Sequence, residues 1–344
     1  MTEHAVPPVP PVQEQARVER AAVETAAPRR TALSSLSEVR NLGLIGVLAV
    51  LVTIGWITKP HSFPTSGNVT TILTQASVIG VVTVGMTFVI IGGGIDLSVG
   101  ALMALASVWA TTVATQDMGG WAIAMVALLV GLGFGLINGL LIAYGRLVPF
   151  IATLAMMATA RGLAQKISNE QTQIVRWKSI NNLAQNKILG LPMLVWIFAV
   201  VAVVGWVVLN RTTYGRRTFA VGGNVEAARL AGINTRVHTV SLYVVSGLCA
   251  GIAAIMIAAL TNTGSSTHGE QYELNAIAAV IIGGTLLAGG AGTLVGSVLG
   301  VLVFTTISNL LIQNNLKTEY QNIATGVIIV IAVLLQRRSK EVRS

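Results

Sequence analysis

The chain has 344 residues, of which 53% are hydrophobic and only 10% charged, where an average soluble domain carries about a quarter charged. That deficit and the long continuous apolar runs argue against a soluble enzyme and for an all-α, polytopic membrane protein. The runs are also about twice the length of barrel strands and lack their alternation. The net charge of +9 sits in the segments between apolar runs, where the positive-inside rule accounts for it, so it does not argue for a nucleic-acid partner.

Residues 1–40 hold Pro7, Pro8, Pro10 and Pro11 and many alanines, with five arginines balanced by five glutamates. They lack the apolar core and cleavage site of a signal peptide, and the composition predicts a disordered cytoplasmic tail. A transmembrane domain is expected over 41–338, followed by a short cytoplasmic tail at 339–344.

Ten spans are expected, at about 41–58, 69–91, 96–114, 121–143, 150–167, 191–209, 238–260, 275–288, 293–313 and 320–336. The eighth is short for a crossing and runs into glycines, so a broken or tilted helix is expected there. With the N-terminus inside, fifteen of the 22 Lys and Arg fall in inner segments, six in outer ones, and Arg161 within a span. That bias, and the even count, put both termini in the cytoplasm. The outer segment near 168–190 runs against the pattern, with Lys166, Arg176, Lys178 and Lys187.

Two glycine clusters lie at inner ends of hairpins. One is Gly92, Gly93 and Gly94 followed by Asp96; the other runs from Gly283 to Gly296. The string VIIGG occurs at 89–93 and at 280–284. It falls in spans two and eight, whereas a five-plus-five inverted repeat pairs two with seven, so it reads as compositional coincidence. Most of these glycines are expected to serve close packing, although glycine-broken spans also mark transport pathways.

Asp96 is the one acid that this reading places deep in an apolar stretch. An intramembrane carboxylate is a functional candidate. Three glycines precede it and an apolar run follows, so the plainer expectation is an N-cap for the third span, accepting from backbone N–H groups near Ser98 and Val99. Arg161 is expected either to snorkel outward or to face a pore. Gln75, Asn138, Thr153, Asn275 and Thr285 are uncharged polar groups in or near spans. They suit hydrogen bonds to a polyol in a pathway, or between helices.

Cys249 is the only cysteine, which excludes an intramolecular disulfide and a cysteine-clustered metal site, and the four histidines are scattered without a ligand spacing. There is no G-x-x-x-x-G-K-[ST] loop and no arrangement readable as a nucleophile with its base. The chain is therefore read as no enzyme and as holding no cofactor; any ATP-Mg would be hydrolysed on a partner.

Residues 211–236 form the longest polar interruption of the second half, with five arginines against Glu226. Asn224 is placed to cap a short helix from Val225. Glu226 would sit in its first turn, Arg229 near its end and Gly232 just past it, the charge order that a helix dipole favours. A helix of about two turns is unstable alone in water and needs a surface to pack on.

These motifs carry a resemblance. GGGIDLSVGALMALA at 92–106, NGLLIAY at 138–144, PFIATLAMMATARGLA at 149–164, YGRRTFAVGGNVEAARLAGI at 214–233, and NAIAAVIIGG with GGAGTLVGSVLG at 275–300 resemble the permease subunits of bacterial ATP-binding-cassette sugar importers of the ribose/xylose/galactose branch, over about residues 41–338. The resemblance implies about ten helices in the bacterial plasma membrane. It also implies a second permease subunit (a homodimer), two cytoplasmic ATPase subunits and an extracytoplasmic sugar-binding protein. Gly222, Gly223, Asn224, Glu226, Ala227, Ala228, Arg229 and Gly232 would belong to a coupling element that docks on the ATPase. The alternative is an ion-coupled secondary sugar carrier, which needs ionisable groups in the membrane.

Overall fold

The computed structural model describes residues 30–317 and, beyond them, residues 319, 320, 323, 326, 327 and 330. The expected tail up to residue 29, most of the tenth span (320–336) and the tail at 339–344 lie outside the described residues.

The described residues are mostly helical. Helix α1 (Arg30–Thr58) begins ten residues before the expected end of the tail, so the boundary at residue 40 falls inside a helix. It is followed by α2 (Ser66–Ile91), α3 (Val99–Ala110), the single turn α4 (Val113–Asp117), α5 (Gly120–Ala143) and α6 (Pro149–Ser168). After the short elements described below come α8 (Met193–Arg211), α9 (Thr213–Gly223), α10 (Val225–Leu230), α11 (Thr235–Thr261), α12 (Tyr272–Ile282) and α13 (Leu294–Gln313). Among the described residues, six helices are long and apolar enough to cross a membrane: Arg40–Thr58, α2, α5, α8, α11 and α13.

The helices divide by what covers them. Helix α2 is apolar all round and buried from Ala76 to Ile91, the mark of a central helix. Helices α1 and α8 instead expose Leu42, Ile45, Val50, Val200, Val203 and Val204, apolar surface that suits lipid. Helices α5 and α11 meet backbone to backbone. A Cβ on Gly131 would strike the carbonyl of Gly247, and one on Gly247 would strike that of Gly131. Gly131 and Gly135 lie against Gly247, Gly131 also against Gly251, and Gly139, four residues on, against Val240, the small-xxx-small spacing of close membrane helix crossings.

Two apolar helices are too short to cross. At about 1.5 Å per residue, α3 with 12 residues and α12 with 11 reach little more than half of a hydrocarbon core of about 30 Å. Each is continued by irregular backbone: 92–98 leads into α3, 265–271 leads into α12, and 283–293 leaves it. Irregular backbone at membrane depth survives only where protein buries it or where it lines a watery cavity. Helix α3 is buried at every position but Trp109.

The two copies of VIIGG share one local geometry. Each ends a helix, α2 and α12, with the same hydrogen-bond pattern. Gly94 N–H donates to the Val89 carbonyl and Thr285 N–H to that of Val280, at 2.9 and 3.1 Å. The left-handed residues that make this possible are Gly93 (φ +86°) and Gly284 (φ +80°). Both are Schellman caps, and this shared helix ending accounts for the glycines of the two copies.

One end of the molecule carries the short strands and the other the arginines of 211–236. The strand end is built, not a plain loop. Strand β1 (Gln173–Ile174) pairs antiparallel with β4 (Thr263–Gly264), and β2 (Lys187–Ile188) with β3 (Leu191–Pro192), while α7 (Lys178–Gln185) lies between. Leu189 and Gly190 both take positive φ (52° and 81°), the two-residue turn that matches strand twist. Gln116 ties this layer down. Its Nε2 donates to the Ile174 carbonyl at 3.0 Å and its Oε1 accepts from Arg176 N–H at 2.8 Å. Arg176 in turn pairs with Asp117 at 3.2 Å, so one of the four unexpected cations has a local partner.

Candidate functional site

At the arginine end, α8 is followed after Thr212 by α9. Helix α9 was not foreseen; it falls within the stretch read as loop. Two side-chain pairs lock it to the base of α11. The Tyr214 hydroxyl lies 2.9 Å from Ser241 Oγ, and Thr218 Oγ1 lies 3.0 Å from His238 Nε2. Burial pushes the Tyr214 phenol above its usual range, so it stays protonated. It donates to Ser241, whose own hydroxyl proton goes to the His238 carbonyl at 2.7 Å.

Helix α10 follows directly. Asn224 Oδ1 accepts from Ala227 N–H at 2.9 Å, closing the N-terminus as a cap does. Glu226 and Arg229 pair at 2.8 Å on the exposed surface. The helix ends at Leu230, and Gly232 takes φ +82° just beyond. Ala228 is buried, while Val225 and Leu230 are 51% and 83% exposed. The element is thus anchored on one side and presents two apolar side chains on the other.

Behind α10 three glycine segments converge. The carbonyl of Ile91, left over at the end of α2, accepts from Gly290 N–H at 2.8 Å. Gly222 lies over that bond; a Cβ there would strike the Ile91 carbonyl and stand 2.8 Å from Gly290 N. A Cβ on Gly289 would come within 2.8 Å of both the Gly222 carbonyl and Gly93 Cα, and one on Gly290 within 2.7 Å of Gly223 Cα. The backbone ahead of α10 therefore touches both loops that leave α2 and α12. Arg40 braces the neighbouring turn, donating to the Gly284 carbonyl at 2.9 Å and to Thr293 Oγ1 at 3.3 Å.

Asp96 sits in a polar knot beneath α3. Its Oδ1 accepts from Ser98 N–H at 3.0 Å and from Ser98 Oγ; its Oδ2 accepts from Ser246 Oγ of α11 at 2.8 Å. The helix begins at Val99, with Ser98 at the cap position, so Asp96 is not the N-cap expected from the sequence but stands two residues before it and holds the cap residue. Asn138 of α5 donates to Ser98 Oγ at 2.8 Å. Thr153 of α6 and Tyr243 of α11 both reach the Ile95 carbonyl, at 3.4 Å each. Among the pathway candidates, Asn138 and Thr153 therefore hold the 95–98 segment in place.

The other candidates are dispersed. Gln75 is half-buried on α2, and Asn275 is half-buried on α12. Thr285 is buried beside Gly292 in the loop after α12. Arg161 reaches from α6 to the segment that follows β4. Its Nη1 donates to the carbonyls of Ser266 and His268, the latter at 3.0 Å, and so pins the irregular segment before α12. Glu273, in the first turn of α12, is a half-buried acid that the sequence reading missed. It lies two residues before the apolar run counted as span eight, and its charge made it look like loop.

A family model described as branched-chain amino acid transport system / permease component matches residues 68–333. The chain is 38% identical over 302 residues to the ribose import permease protein RbsC of Bacillus subtilis (strain 168), covering 87% of this chain and 94% of that protein. It is 37% identical over 302 residues to RbsC of Escherichia coli (strain K12), covering 85% and 92%. To the D-allose transport system permease protein AlsC of the same strain it is 34% identical over 296 residues, covering 86% and 91%. No solved structure matches the chain.

Proposed function

This chain belongs to the family of branched-chain amino acid transport system / permease components and is a multi-pass plasma-membrane protein, and on that premise we propose that it is the membrane subunit of an ATP-driven importer for a neutral sugar. The cargo is a pentose, a hexose or a related polyol, in keeping with the ribose and allose named for its relatives. An extracytoplasmic binding protein delivers the sugar. A cytoplasmic ATPase holding ATP-Mg supplies the energy, and a second, identical permease chain completes the pathway. The chain itself makes and breaks no bonds. In this reading ten spans leave both termini in the cytoplasm, and the arginine end faces the ATPase.

The observation that carries the coupling role is the seating of Gly222 on the loops that end α2 and α12. Helix α10 offers the ATPase Val225 and Leu230, an apolar patch rimmed by Glu226 and Arg229, the composition of a docking surface. A push on α10 moves Gly222 and Gly223. Their backbone contacts pass the push to Ile91–Gly94 and to Gly289–Gly290. The glycines leave no side chain between these segments to absorb it. The two short helices then shift relative to the long ones. This needs an ATPase whose two nucleotide states bind α10 differently, because equal binding shifts nothing.

The test is the full complex in proteoliposomes. Glu226→Lys and Arg229→Glu should reach the membrane at normal levels and leave ATP hydrolysis running, while sugar uptake falls at least tenfold. Normal uptake by both variants sinks the coupling role.

A further inference from the structure

Three arginines where α8 meets α9 have no acid to pair with among the described residues. Arg211 ends α8, Arg216 and Arg217 follow in α9, and all three are exposed. Residues 211–236 hold a single acid, Glu226, and Arg229 takes it at 2.8 Å. The other ion pair among the described residues is Arg176–Asp117, at the strand end. The Arg211 guanidinium rests over the Trp206 ring, 5.4 Å from its centroid.

Two helices set where these charges stand. Val200, Val204 and Val207 are exposed on α8, and their spacing of four and three residues continues to Arg211, so the four lie on one stripe. A face that suits lipid thus ends in a charge with an indole beside it, the arrangement of side chains at a bilayer boundary. In α9, Gly215, Thr218 and Val221 are buried, while Thr213, Arg216, Arg217 and Ala220 are exposed, the i, i+3, i+4, i+7 pattern of a single face. Tyr214 and Thr218 hold the helix to α11, so the arginine face is turned away from the protein.

The positive-inside rule accounts for the sign of these charges but not for their placement. Helix α9 has no acid in its first turn and no side-chain cap. Arg216 closes that turn, at the end where a helix dipole disfavours cations. Like charges at 211, 216 and 217 also repel one another. An anion offsets both costs, and Arg211 narrows down which one. It continues the lipid-facing stripe of α8, so its partner lies at the edge of the bilayer. There the phosphate of an acidic phospholipid is at hand, and a guanidinium binds phosphate with two parallel N–H groups. Helix α10, by contrast, shows apolar Val225 and Leu230 and an ion pair already closed, a surface that suits protein.

We propose that Arg211, Arg216 and Arg217 bind the headgroup phosphate of an anionic phospholipid, whose chains lie along the valines of α8. The proposal goes beyond the importer reading and needs only a chain that sits in a bilayer. The lipid holds α9 from the membrane side, as Tyr214 and Thr218 hold it from the protein side.

The test is native mass spectrometry of the purified full chain, given phosphatidylglycerol or phosphatidylcholine with the same acyl chains. The protein should retain phosphatidylglycerol at least about fivefold over phosphatidylcholine. Changing all three residues together, Arg211→Gln, Arg216→Gln and Arg217→Gln, should bring that preference below about twofold. Removing three exposed cations of the strand end instead, Lys166→Gln, Lys178→Gln and Lys187→Gln, should leave it intact. No preference in the unsubstituted protein overturns the proposal. So does a preference that survives the arginine changes, or one that falls equally with the lysine changes. An arginine variant that binds phosphatidylglycerol normally but no longer assembles with its ATPase also overturns it, and assigns the patch to an acidic protein surface. If the triple variant fails to fold, the three single variants decide: each should lower the preference, and three unchanged preferences overturn the proposal.

Discussion

Gly222 and Gly223 are neighbours with different constraints, and the difference is testable. A methyl on Gly222 meets the Ile91 carbonyl, which is backbone and already bonded, whereas the nearest atom to a methyl on Gly223 is Gly290 Cα at 4.0 Å. Overpacking of this kind costs about 1–3 kcal/mol. Gly222→Ala should lower the thermal midpoint of the purified protein and depress uptake; Gly223→Ala should leave the stability within about 0.5 kcal/mol of the original. Equal effects of the two would mean that the contact does not constrain the chain. Asp96 gives a second contrast. Asparagine keeps an acceptor for Ser98 N–H, so Asp96→Asn should assemble and transport. Asp96→Leu strands Ser98 N–H and costs about 1–3 kcal/mol for that buried group, so it should fail to assemble. Loss of transport by a well-assembled Asp96→Asn would give the carboxylate a role beyond holding the loop. The sequence made Asp96 visible because an acid stood alone among apolar residues. Glu273 stood at the edge of its run, beside Glu270, and looked solvated. Only the fold brings Gly100 against it and Arg161 within electrostatic reach.

Among elements, the long helices were legible because each is a run of about twenty apolar residues, and the caps of α10 because Asn224, Glu226, Arg229 and Gly232 fall at the positions where helix ends use them. Helix α9 was not. Its sequence, TYGRRTFAVGG, mixes three glycines with two arginines, and what makes it a helix is its packing through Tyr214 and Thr218 onto α11. Nor was the pairing of the two glycine-terminated helices. The repeated VIIGG was on view, but its meaning lies in a cap geometry that only coordinates display. Arg40 belongs at this scale too. It counts as an orientation signal in the sequence, yet it satisfies a carbonyl at the end of α12 and bridges to the start of α13. A hydrogen bond from a charged group contributes about 1.5–3 kcal/mol. Arg40→Ala should therefore lower the thermal midpoint and loosen the turn at Gly284, seen as faster amide exchange there; unchanged exchange would show that the brace is idle.

Over the whole molecule, one end is ordered by strands and by Gln116, the other by α9, α10 and the glycine contacts, and between them lie two helices too short to cross. That division suits a machine driven from one side and loaded from the other. The proposed alternative, an ion-coupled carrier, would need ionisable groups in the membrane to drive transport. The direct measurement is uptake of labelled ribose or allose into proteoliposomes that hold this chain, its ATPase and the loaded binding protein. The account predicts uptake that requires ATP and persists when ion gradients are collapsed. Uptake by the chain alone, driven by an ion gradient and indifferent to ATP, would contradict it.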